Sequence, residues 1–182
     1  MKKIFLSITS GALLLAACNS DTTTTTSDDK MKSDSTMSSS KEDKEERNKK
    51  IVLESINAFS AHNVDDVLKN VAAESVDYGD GSFPPMKNVD SVRAGMKSYM
   101  TAFPDVKGEN LTAVADGDWV VVWGDWSGTF KSDFMGMKAT GKSFKYREAD
   151  IFKLNDEGKI TEHHSVQSPM TMINMVGAKM AK

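Results

Sequence analysis

The sequence predicts an α+β domain in which helices cover one face of a curved antiparallel sheet. Two patterns point there. Apolar residues recur at helical spacing through the first half of the chain, and three consecutive segments between Gly117 and Ser168 alternate with the two-residue period of a strand. Helices followed by a run of strands is the order of an α+β layout rather than of repeated βαβ units.

The chain starts with a targeting segment. Lys2 and Lys3 precede a short apolar run from Ile4 to Ala17, with small residues just before Cys18. The run is too short to span a membrane. Residues 1–17 are therefore expected to be a signal peptide. Residues 18–40 are rich in Thr, Ser, Asp and Lys, with almost nothing apolar. Ordering them would cost backbone entropy without burial in return, so they are expected to be a disordered tether. The folded domain is expected over residues 41–182.

Within it, Ser39 or Ser40 followed by Glu42 or Asp43 offers a capping-box start. Val52, Ile56 and Phe59 share one face of a helix expected over residues 41–62. His62 falls at its end, where the helix dipole favours a cation. Asn63 can cap a short second helix carrying Val64, Val67, Leu68 and Val71. Glu74 to Tyr78 reads as a strand, and Gly79-Asp80-Gly81 as a turn. Pro84-Pro85 demands a loop, since proline cannot donate to a ladder. Asn88 or Asp90 caps a third helix whose stripe of Val89, Val92, Met96, Tyr99, Met100 and Phe103 reads as core, and Pro104 ends it. A strand runs from about Val106 to Ala115. The three β segments follow, at Asp118–Phe130, Lys142–Leu154 and Lys159–Ser168. Pro169 then opens a last weak helix that ends near Gly177.

The middle β segment carries the chemistry. Alternation puts Phe144, Tyr146, Glu148, Asp150, Phe152 and Leu154 on one face, and Lys145, Arg147, Ala149, Ile151 and Lys153 on the other. If the aromatic face looks inward, Glu148 and Asp150 are two carboxylates about 7 Å apart where ionised groups are expensive. Like charge and burial would raise Asp150 toward the range of a general base. Trp126 and Phe130, in phase with Val120 and Val122, are expected to wall the same cavity, with Gly124 leaving space beside Trp126. Tyr78 and Tyr146 are further pocket candidates. Trp119 and Trp123 fall on the opposite face and suggest a covered surface, such as a dimer contact.

Composition excludes several functions. The 182 residues, 39% apolar and 27% charged, suit one domain with tails. A net charge of −3 with no basic stripe argues against nucleic acid as a partner. A single cysteine forbids an internal disulfide. His163 and His164 are adjacent and point to opposite faces of a strand, so they cannot chelate one metal together. No other spacing suggests a metal site, and no phosphate loop or Ser/His/Asp arrangement is recognisable. No cofactor and no metal are expected.

Two resemblances add to this reading. Leu15-Ala16-Ala17-Cys18 resembles the bacterial lipobox, which implies lipidation of Cys18 and a membrane anchor in the cell envelope. From about Ile51 to Gly177 the chain resembles the SnoaL-like polyketide cyclase group of the nuclear transport factor 2-like superfamily. The matching pieces are Phe103-Pro-Asp105, Gly117-Asp118, Trp126-Ser-Gly-Thr129, Phe134-Met-Gly136, Thr140-Gly-Lys142, Asp150-Ile-Phe152, Gly158-Lys-Ile160 and Glu162-His163. The resemblance implies a conical α+β barrel around a pocket, homodimers formed through the sheet, and Asp150 as general acid or base. It also places His163 on the pocket side as a proton shuttle, next to Ser165. Phe130 and Ser165 stand where many relatives carry His and Asp. The function expected is a lipid-anchored envelope domain that binds a small, partly apolar ligand. A proton-transfer enzyme (isomerase, aldol-type cyclase or hydratase) and a non-catalytic dimeric module are the alternatives.

Overall fold

The computed structural model describes residues 28–179. Four helices and six strands follow in the order α1 (Asp28–Ser60), α2 (Val64–Leu68), β1 (Val71–Asp77), β2 (Met86–Lys87), α3 (Val89–Ala102), β3 (Lys107–Asp116), β4 (Trp119–Thr129), β5 (Ser143–Leu154), β6 (Ile160–Ser165) and α4 (Pro169–Val176). The signal segment, Cys18 and the tether as far as residue 27 lie outside the described residues. The rest of the expected tether is not irregular: α1 begins at Asp28, well ahead of residue 41. Extending a nucleated helix fixes one residue per hydrogen bond gained, so polar sequence can continue a helix that packing has started.

That packing begins midway along α1. Val52 and Ile56 are buried against Val120, Val122, Phe152 and Leu154 of the sheet, worth about 1.5–3 kcal/mol for each large side chain removed from water. The charged stretch before them does more than face solvent. Asn48 is fully buried and its Nδ2 donates to the Gly117 carbonyl, while Glu45 accepts from the Gly117 N–H at 2.9 Å. Two backbone groups of the β3–β4 turn thus find partners on α1. Asn63 and Asn88 cap α2 and α3 as expected, each accepting from a backbone N–H three residues on.

The sheet order is β2-β1-β6-β5-β4-β3. The expectation of a wholly antiparallel sheet fails at one place: β1 runs parallel to β6, with Asp77 opposite His163. β1 also starts earlier than predicted, because Val71 leaves α2 and pairs with Ile160. A register shift in β3 between Glu109 and Thr112 tucks Leu111 over Gly124. The space expected beside Gly124 is therefore filled: an added Cβ would lie 2.6 Å from Leu111 Cδ2 and 2.9 Å from the Glu109 carbonyl oxygen.

The concave face of the sheet divides into two parts. At one end Ala102, Phe103, Phe130, Phe144 and three residues of α4 close into solid core. Towards β1 and β6 the helices stand off the sheet and leave a cavity of about 590 Å³.

Candidate functional site

Strand alternation turns Tyr146, Glu148 and Asp150 of β5 toward that cavity, and all three line it. Arg147 points outward and pairs with Asp125 at 3.0 Å, its side chain 68% exposed. Asp150 is only 7% exposed. It sits opposite Ser165 in the β5–β6 ladder, and the Ser165 hydroxyl donates to Asp150 Oδ1 at 3.4 Å.

His163, also on β6, joins two carboxylates. Its Nδ1 lies 2.9 Å from Asp77 Oδ1 and its Nε2 lies 3.3 Å from Asp150 Oδ1. Asp77 is held in turn by the Gly79 N–H at 2.9 Å. A neutral imidazole has one N–H and could donate to only one of these acids, whereas the imidazolium donates to both. Burial pulls His163 toward the neutral form, but the hydrogen bonds it donates to Asp150 and Asp77 and their charges outweigh it and raise its pKa to about 10. Burial likewise pushes Asp77 up, and the His163 bond and charge more than reverse this, leaving it below the usual carboxylate range.

Glu148 has no such cation. Burial first, then the Asp150 charge, push it to about 7, against the opposing pull of the Tyr146 hydroxyl and His163. Burial and these carboxylates also drive the Tyr99 and Tyr146 phenols well above their usual pKa, so both remain protonated. Two acids on one strand therefore differ in environment: Asp150 faces an imidazolium, and Glu148 takes up a proton near neutral pH.

The rest of the wall is aromatic. Phe59 meets Trp126 edge-on at 5.8 Å and Tyr99 at 6.1 Å, and Phe134 meets Tyr99 edge-on at 5.8 Å. Among the described residues, two polar atoms here are buried without a hydrogen-bond partner, Ser75 Oγ and Trp126 Nε1. Unpaired buried groups are costly, and both residues line the cavity. No group of three or more His, Cys, Asp or Glu among the described residues could hold a metal ion.

The structure thus brings together Asp150, His163, Glu148, Tyr146, Trp126 and Ser165. Tyr78 lies at the rim, 39% exposed and stacked on His164 at 4.7 Å. Phe130 is a correction: it is 1% exposed and stacks on Phe103 at 5.1 Å in the solid core, away from the cavity lining. Its phase on β4 was inward, but Phe103 and Phe144 occupy that end of the sheet. Asp77, Ser75 and Tyr99 escaped the sequence reading. Asp77 and Ser75 alternate in phase on a predicted strand, a signal too common to single them out, and Tyr99 was absorbed into the α3 core stripe.

A SnoaL-like polyketide cyclase family model matches residues 50–174. No curated protein matches the chain. Several solved structures share the fold. AclR, a candidate hydroxylase from Streptomyces galilaeus, is 22% identical with a TM-score of 0.61, covering 71% of this chain and 95% of its own. A candidate polyketide cyclase from Xanthomonas campestris pv. campestris is 16% identical with a TM-score of 0.67, covering 73% and 98%. A candidate SnoaL-like polyketide cyclase from Jannaschia sp. CCS1 is 19% identical with a TM-score of 0.65, covering 73% and 93%. With a family match across more than half of its length, the chain belongs to the SnoaL-like polyketide cyclase family.

Proposed function

We propose that the domain binds a small, partly apolar carbonyl compound and moves a proton on it, with Asp150 as the base. One observation carries this reading. Asp150 is buried in the cavity wall with Oδ1 engaged by His163 and Ser165, while Oδ2 has no hydrogen-bond partner among the described residues. Oδ2 takes the proton from the carbon next to the carbonyl. The C–H electron pair forms a C=C bond, and the carbonyl π pair moves to oxygen, giving an enolate. The protonated Tyr146 phenol is a donor on the same wall that can meet that oxygen. His163 and Asp77 are positioning residues that fix Asp150. Returning the proton at another carbon completes an isomerisation. Attack of the enolate carbon on a second carbonyl of the same molecule would instead close a ring.

The test is isomerisation of a β,γ-unsaturated cyclic ketone, followed by absorbance of the conjugated product. Asp150→Asn should lower the rate at least about a hundredfold, the usual contribution of a general base. Unchanged turnover would remove Asp150 from the chemistry. A second reading, ligand binding without turnover, is favoured by Ser165 and Phe130 standing where many relatives carry ionisable side chains. It predicts that the wild-type chain binds ketones and isomerises none.

Two proposals concern where the domain works. Lipidation of Cys18, supported by Leu15-Ala-Ala-Cys18, would hold it at the bacterial cell envelope. Cys18→Ser should then release the protein from the membrane fraction. A homodimer through the outer sheet face is supported by Trp119 and Val114, 40% and 49% exposed on that side. Native mass spectrometry reads its mass directly.

A further inference from the structure

The cavity has an unbalanced charge. The ionisable groups that face it are Asp77, Asp80, Glu148, Asp150, Glu162, His163 and the phenols of Tyr78, Tyr99 and Tyr146. Asp80 is tied to Ser82, and Glu162 is neutralised by Lys153 at 2.9 Å. The His163 imidazolium offsets one of Asp77 and Asp150. The other, together with Glu148, meets no lysine or arginine among the described lining residues. Buried charge without a partner is among the most expensive arrangements in a protein. Glu148 escapes it in the free protein by taking up a proton near neutral pH.

The surroundings of Glu148 are suited to a different partner. Phe59, Tyr99, Trp126 and Tyr146 gather in one aromatic cluster on the cavity wall. Aromatic faces attract cations, most strongly when water is excluded. We propose that the cavity takes an organic ammonium compound, its cationic head held by the aromatic cluster against Glu148 and Asp150. This inference rests on the reading of the cavity as a small-molecule site and narrows its ligand from a partly apolar compound to a cationic one. The aromatic walls serve the methyl and methylene groups around the nitrogen, and the carboxylates its charge.

The test compares choline with its neutral carbon isostere, 3,3-dimethylbutan-1-ol, by isothermal titration of the full chain. The two differ in charge and barely in shape. At pH 8 choline should bind at least tenfold more tightly. The advantage should shrink by up to about tenfold at pH 6, where Glu148 is mostly protonated before binding. Glu148→Gln should reduce the pH 8 advantage to its pH 6 value, with circular dichroism confirming that the variant is folded. The wild-type pH dependence stands as the test if it is not. Equal affinity for the two compounds, tighter binding of the alcohol, or no binding of either would overturn the inference. Loss of choline preference with Asp150-dependent ketone isomerisation intact would sink this inference alone. Choline preference without any isomerisation would sink the proton-transfer reading alone.

Discussion

Asp77→Asn is the most informative perturbation of the Asp77–His163–Asp150 chain. It removes one of the two charges beside His163 while keeping a side chain that can still accept from Nδ1 at the 2.9 Å position. Raising His163 from 6.5 to about 10 corresponds to about 5 kcal/mol between its two protonation states. Two carboxylates share that effect, so removing one charge should forfeit about 2 kcal/mol. The sign follows from linkage. Because the folded pKa is raised, the stabilisation is fully present below pH 6.5 and is lost as pH rises through about 10. Asp77→Asn should therefore be destabilised most below pH 6.5, and the gap to wild type should close at alkaline pH. The assay is chemical denaturation from pH 5.5 to 10, paired with an NMR titration of the His163 ring. The variant's ring should lose its proton at clearly lower pH than the wild type's. Identical ring titrations in the two proteins would refute the argument that Asp77 holds His163 charged.

Three other outcomes follow from the same structure. Phe130→Ala should cost about 3–5 kcal/mol by denaturant titration yet leave ligand affinity unchanged, because Phe130 belongs to the core beside Phe103 and not to the cavity. Glu148→Gln should flatten part of the stability profile: with its folded pKa raised from 4.5 to about 7, wild-type Glu148 makes the protein less stable as pH rises through that window, and glutamine does not titrate. Gly124→Ala should destabilise by about 1–3 kcal/mol, since its Cβ would strike both the Leu111 side chain and the Glu109 backbone. Leu111→Ala should recover part of that loss in the double variant, measured as a coupling energy.

The parts of this molecule legible in its sequence are those set by local rules. Period-two alternation placed Tyr146, Glu148 and Asp150 on the inner face of β5 and Arg147 on the outer, because side-chain direction in a strand depends only on parity. Asn63, Asn88, Pro169 and Gly177 marked helix ends through their own side chains and backbone preferences. What escaped is non-local. Asp77 meets His163 only because β1 joins β6 in parallel, a pairing between segments far apart in the chain that no turn announces. Phe130 shows the other limit. Parity can say that a side chain faces inward, but whether the inward side is packed or hollow depends on where α3 and α4 come to rest. Glu45 and Asn48 lie in a densely charged run, and their partners come only from the β3–β4 turn, far off in the chain.

The central claim is that Asp150 meets the reacting carbon inside the cavity. It is tested most directly by a crystal structure with 2-naphthol, whose phenolic oxygen and flat ring mimic an enolate. The account predicts the naphthol oxygen within hydrogen-bond distance of the Tyr146 hydroxyl, with the ring carbon beside it against Asp150 Oδ2. Naphthol bound elsewhere, or Asp150 turned to bulk water with Lys145 and Arg147 facing the helices, would contradict it.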